Sequence, residues 1–82
     1  MPDHKRPSFE KLTDRQTEVY RYLVEFFEKN DQLPPTREVG RHFGILQNGA
    51  RSHLMALERK GFLDRNKLGR LRFSRYPYPI IE

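Results

Sequence analysis

Between Thr13 and Asn30 the apolar residues Val19, Tyr20, Leu23, Phe26 and Phe27 recur at intervals of three and four, with Glu18, Arg21, Glu25 and Glu28 filling the other side. That spacing predicts an amphipathic helix over about 14–29. Thr13 followed three residues later by Gln16 is the sequence pattern of a capping box at its start. "KNDQLPP" ends it, because Pro34 and Pro35 cannot donate to a helix or continue one. The outer face of this helix is acidic, so the helix is expected to brace the domain rather than to read a ligand.

A second, shorter periodic segment follows, "REVGRHF", with Thr36 as its expected cap and Val39 and Phe43 as a narrow apolar stripe. Gly44 supplies the left-handed residue that commonly closes a helix. Ile45 and Leu46 are expected to turn inward. Asn48 is then the predicted cap of a third helix running to about Lys60, with Ala50, Leu54 and Leu57 inside and Asn48, Arg51, Ser52, Met55 and Arg59 outside. Asn48-Gly49 is also a strong turn dipeptide, which would move the start of this helix by one residue. Past Gly61 the period drops to two: Leu71 and Phe73 alternate with Arg70 and Arg72, predicting a hairpin of about 62–65 and 70–74 around a polar turn, Asn66 to Gly69. The chain is thus expected to be mainly α with a small β-hairpin. Residues 12–74 would form the domain, 1–11 a loosely ordered start and 75–82, with its alternating prolines and tyrosines, an extended tail. The "YPYPIIE" ending reads as native.

Charge sharpens this picture. The 82 residues carry a formal +5, but residues 1–34 are net −1 and residues 35–82 net +6, with eight arginines to two lysines in the basic part. Arginine's planar fork suits phosphates and guanine edges. The asymmetry points to a polyanion partner, nucleic acid first. Cysteine is absent and the three histidines lack ligand spacing, so no disulfide, metal or other cofactor is expected. With no apolar run long enough for a membrane span and no signal peptide, the expected location is cytoplasmic, on the nucleoid.

Two helices joined by three or four residues form a helix-turn-helix, in which the first braces the second in a major groove. A basic hairpin beside it, carrying Arg65, Lys67, Arg70 and Arg72, is a wing able to lie on phosphates or in a minor groove. The expected architecture is therefore a winged helix-turn-helix, a three-helix core plus a two-stranded wing.

"LTDRQTEVYRYLVEFF", "LPPTREVGRHFGI" and "NGARSHLMALERKGFL" resemble, in order and spacing, the N-terminal winged-helix DNA-binding domain of LexA-type repressors. The resemblance covers about residues 12–74. It implies a repressor whose third helix reads a palindromic operator as part of a dimer. The departures are informative. The family's brace-to-reader segment is about two residues longer, and its reader helix opens with a serine-proline-asparagine cap and carries two glutamates before the histidine. Here Asn48 matches the asparagine, Gly49 follows it, and Arg51 and Ser52 stand in place of the acids. Glutamate accepts from cytosine whereas arginine donates to guanine O6 and N7, so the operator is expected to differ from the usual one. The family's second domain, with its serine-lysine self-cleavage dyad, has no counterpart in these residues, and self-cleavage is not expected.

The candidate DNA-binding residues are Thr36, Arg37, Gln47, Asn48, Gly49, Arg51, Ser52, Met55, Arg59, Arg65, Lys67, Arg70 and Arg72. Each has a plainer alternative: Asn48, Arg51 and Ser52 as solvent-facing helix residues, Thr36 as a simple cap, Met55 packing under the wing rather than touching a thymine methyl. His53 is expected to be structural. The function that follows is a sequence-specific regulator of transcription on double-stranded DNA, a repressor of phage or bacterial type. It is expected to act as a homodimer on a palindromic site or with a protein partner, because one such domain contacts few bases. The alternative is a winged-helix adaptor docking on RNA polymerase, another regulator or a replication protein. No enzyme is expected, because no base–nucleophile pair or phosphate loop is present.

Overall fold

The structure is a computed structural model and describes residues 12–74. The extended tail expected at 75–82 and the loose start expected at 1–11 lie outside the described residues. The order is α1 (Asp14–Asn30), α2 (Thr36–Phe43), α3 (Gln47–Arg59), β1 (Leu63–Arg65) and β2 (Leu71–Phe73). Three helices and an antiparallel hairpin give the winged architecture expected from the periodicity.

α1 starts at the capping box foreseen from Thr13 and Gln16. The Gln16 amide donates to Thr13 Oγ1 and the Thr13 amide to Gln16 Oε1, each at 3.1 Å. Gln16 Oε1 also accepts from Lys60 Nζ at 2.7 Å, which ties the start of α1 to the end of α3. The helix stops at Asp31, which is left-handed (φ 60) and donates its amide to Phe27 O at 2.7 Å. This lies three residues before the first proline, so the stop is made by the chain reversal at Asp31 rather than by the prolines.

α2 corrects the sequence reading by one residue. Its N-cap is Pro35, not Thr36, and no side chain caps it. Pro35 is extended (φ −63, ψ 156), and its carbonyl accepts from Glu38 and Val39, so Thr36 is already the first helical residue. Proline's missing N–H costs nothing ahead of a helix, where no intrahelical partner exists for it. Tyr22 of α1 stacks on His42 of α2, with ring centroids 3.9 Å apart and planes 16° from parallel. Burial first, then the Glu38 carboxylate, push the Tyr22 phenol above its usual value, so it stays neutral at neutral pH.

The corner between α2 and α3 turns on Gly44, left-handed at φ 68 as expected, with Ile45 donating its amide to Gly40 O at 2.9 Å. At Gly40 a Cβ would meet Ile45 O at 2.9 Å, so glycine is what lets the turn fold back against the middle of α2. Ile45 packs against the core as expected. Leu46 does not: it is 82 % exposed.

α3 begins at Gln47 with Leu46 as its N-cap, so Asn48 is its second residue rather than its cap, and Asn48-Gly49 belongs to the helix rather than to the turn. The Leu46 carbonyl accepts from Ala50, which starts the helix without help from a side chain. Ala50, Leu54, Ala56 and Leu57 are buried. The helix ends at Arg59, one residue short of the expectation, with Lys60 as C-cap and Gly61 at φ 91 turning the chain into the wing.

The strands are shorter than predicted, and the register pairs Leu63 with Phe73, Asp64 with Arg72 and Arg65 with Leu71. Leu63 and Phe73 face the core, which also contains Val19, Tyr20, Leu23, Val39, Leu54, Leu57 and Phe62. Tyr20 sits at its centre, edge-on to Phe62 at 5.1 Å and to Phe73 at 5.8 Å. One aromatic cluster therefore fixes the base of the wing, where the chain enters β1 and leaves β2, to α1. Such edge-to-face pairs add about 0.5–1.5 kcal/mol beyond the area they bury.

Candidate nucleic-acid interface

With Ala50, Leu54 and Leu57 held inside, helical geometry turns Asn48, Arg51, Ser52, Met55 and Arg59 to the opposite side, and all five are exposed. Gln47 is exposed at the helix start, and Gly49 is half-buried against the Ile45 side chain. This is the free face that a major-groove reader requires. It is not covered by any described part of the chain.

Beside it runs an open groove of about 1180 Å³ between α3, the wing and the link from α1 to α2. Thr36, Arg51, Met55, Arg65, Arg70 and Arg72 all line it, so the fold brings together six candidate residues from three separate parts of the sequence. Arg37, Gln47, Asn48, Gly49, Ser52, Arg59 and Lys67 are outside its lining. The acidic residues Glu18, Glu25 and Glu28 are exposed on α1 but contribute nothing to the groove. His53 is half-buried on α3 and does not line it either.

The wing's cations divide into two kinds. Arg65 donates to Glu58 Oε2 at 3.2 Å and to Gly69 O at 2.8 Å, and Arg72 donates to Asp64 Oδ1 at 2.7 Å. These two are half-committed, Arg65 to α3 and the wing tip and Arg72 to the facing strand, and bring less net charge to a phosphate. By contrast, Arg37, Arg51, Arg59, Lys67 and Arg70 make no side-chain hydrogen bond or ion pair among the described residues. From sequence alone the four wing cations are equivalent. The cross-strand pair Asp64–Arg72 was available from the turn position, but Glu58–Arg65 depends on how the hairpin folds back along α3.

The tip of the wing is held in shape by Asn66. Its Oδ1 accepts from the amides of Leu68 at 2.8 Å and Arg70 at 3.0 Å, its carbonyl accepts from Gly69, and its amide donates to Arg70 O. A short polar side chain bonding its own loop is a strong turn former. Gly69 at φ 79 completes the reversal. Lys67 and Leu68 are thereby presented on a pre-ordered loop.

Leu46 is the exposed residue at this surface that sequence reasoning missed. It caps α3 with no side-chain acceptor, in a position where serine, threonine, aspartate or asparagine normally bonds a first-turn amide. Leu46→Ser is expected to raise the unfolding free energy by about 1 kcal/mol, read by chemical denaturation. An unchanged or lower midpoint would show that the first turn is already satisfied.

The family model of the LexA DNA binding domain matches residues 9–72. The LexA repressor of Thermotoga petrophila is 48% identical over 54 residues, 66% of this chain and 27% of that protein. That of Anaeromyxobacter sp. (strain Fw109-5) is 50% identical over 56 residues, 67% of this chain and 24% of that protein. That of Thermosipho melanesiensis is 36% identical over 56 residues, 68% of this chain and 28% of that protein. The chain thus spans about a quarter of the length of the curated relatives it matches. By fold and by sequence, the chain belongs to the LexA DNA-binding domain family.

Proposed function

We propose that this domain is a sequence-specific, double-stranded-DNA-binding repressor of transcription, with α3 in the major groove and the wing on phosphates or in the adjoining minor groove. The observation that carries the reading is the shared groove: Arg51 on the free face of α3 and Arg70 on the wing, neither paired among the described residues, line one opening. Arg51 is suited to guanine O6 and N7, and Asn48 to adenine N6 and N7. Gln47, Ser52, Met55 and Arg59 would complete the reading face, with Gly49 letting the backbone come close. Thr36 and Arg37, at the first turn of α2, would hold a phosphate on the far side, and Lys67, Arg70 and, more weakly, Arg65 and Arg72 would hold those beneath the wing.

The match to relatives called LexA repressor supports repression as the outcome of binding. One domain reading a few base pairs cannot find its site in a genome, so action as a homodimer on a palindrome is part of the proposal. No helix among the described residues is long and apolar enough to cross a membrane. The working place of such a repressor is the cytoplasm, at the nucleoid.

The test is the salt dependence of binding to a random duplex. Each phosphate neutralised contributes a slope of about −0.9 in log K against log salt, so two to four engaged cations predict about −2 to −4 per domain. Absence of binding at low salt would favour the adaptor reading, in which the same basic face meets an acidic protein.

A further inference from the structure

Among the described residues three large apolar side chains are strongly exposed: Leu46 at 82 %, Leu68 at 80 % and Met55 at 46 %. All three belong to α3, its cap or the wing, and none to α1 or α2. Leu46 is the most unusual. It occupies a cap position without an acceptor, its side chain stands in water, and the next two residues, Gln47 and Asn48, are exposed as well. The isolated domain gains nothing from leucine there: a serine would cap the helix and expose less apolar surface.

We propose that Leu46 is a specificity-determining residue that contacts the 5-methyl group of a thymine at the leading end of α3. This rests on the major-groove role proposed above for that helix. In a helix-turn-helix it is the N-terminal end of the second helix that reaches the base edges. An alkyl side chain cannot hydrogen-bond a base and gains nothing from a phosphate. Among the groups displayed in the major groove, only the thymine methyl offers it apolar contact. The minor groove displays no methyl, which sets Leu68, at the wing tip, apart from this role. Met55 lines the groove between α3 and the wing, so it stands further along the helix than the end that Leu46 occupies.

The experiment uses deoxyuridine, which pairs as thymine does but lacks the methyl. A duplex selected by the protein from a random pool is prepared in a thymine form and a deoxyuridine form, and both are titrated at one salt concentration. The parent is expected to bind the deoxyuridine form about fourfold more weakly for each contacted methyl, the value of burying one such group. Leu46→Ser is expected to lower that ratio about fourfold, while Leu68→Ala keeps it. Leu46→Ser adds a helix cap, so a lost ratio does not report unfolding. A ratio near one in the parent, a ratio unchanged in Leu46→Ser, or a ratio lowered equally by Leu68→Ala would each overturn the assignment while leaving DNA binding intact. Failure to bind either the selected or the random duplex at low salt would overturn the underlying DNA-reading role, and the assignment with it.

Discussion

Arg51→Ala combined with Arg70→Ala is expected to weaken binding to a selected duplex by about two orders of magnitude per domain. A bidentate arginine–guanine contact carries about 1–3 kcal/mol of discrimination, and loss of one phosphate contact lowers the salt slope by about 0.9. The two losses should separate. Arg51→Ala alone should flatten the preference for selected over random duplex, and Arg70→Ala alone should weaken both duplexes alike. Neither side chain has an internal partner among the described residues, so the unfolding free energy should stay within about 0.5 kcal/mol of the parent. Arg72→Ala provides the contrast. That guanidinium already bonds Asp64 at 2.7 Å, so it should cost less affinity than Arg70→Ala. Equal losses at the two positions, measured by fluorescence anisotropy, would refute the division of the wing's cations into paired and free.

The second large effect is on stability. Phe62→Ala should cost about 3–5 kcal/mol, the usual range for deleting a buried aromatic ring. A domain of this size has roughly 4–12 kcal/mol in total. Phe62 is 1 % exposed, meets Tyr20 edge-on, and lies where α3 gives way to β1. Its loss opens the junction that fixes the wing's angle to α3, so DNA affinity should fall with stability. Thermal unfolding followed by circular dichroism should shift down by at least about 12 °C. Leu68→Ala, at the exposed wing tip, should leave the midpoint nearly where it was. A Phe62→Ala midpoint within a few degrees of the parent would contradict the central place given to the Tyr20–Phe62–Phe73 cluster.

The helices were legible in the sequence because their burial follows a simple period. Val19, Tyr20 and Leu23 on one helix, and Ala50, Leu54 and Leu57 on another, face inward as their spacing dictates. Thr13 and Gln16 make their capping box because both partners lie within one turn. The errors came where the chain changes direction. Thr36 and Asn48 are good cap residues by side-chain chemistry, yet Pro35 and Leu46 hold those places because an extended backbone and a free carbonyl suffice to start a helix. Leu46 was expected inside because it is apolar, but a residue at the helix end projects past the surface that could cover it. Partners distant in sequence were out of reach: Lys60 on Gln16 and Glu58 on Arg65 exist only once the elements have packed. The candidate site fared similarly. Its stripe on α3 follows from helical periodicity, whereas its meeting with Thr36 and Arg70 in one groove required the fold.

Amide-resolved NMR titration of the domain with a selected duplex shows which surface meets DNA. The largest perturbations are expected on Leu46–Met55 and on the wing from Arg65 to Arg72, with the exposed side of α1 at Glu18, Glu25 and Glu28 scarcely moved. Perturbations concentrated on α1, with α3 unchanged while the duplex is bound, would contradict this expectation.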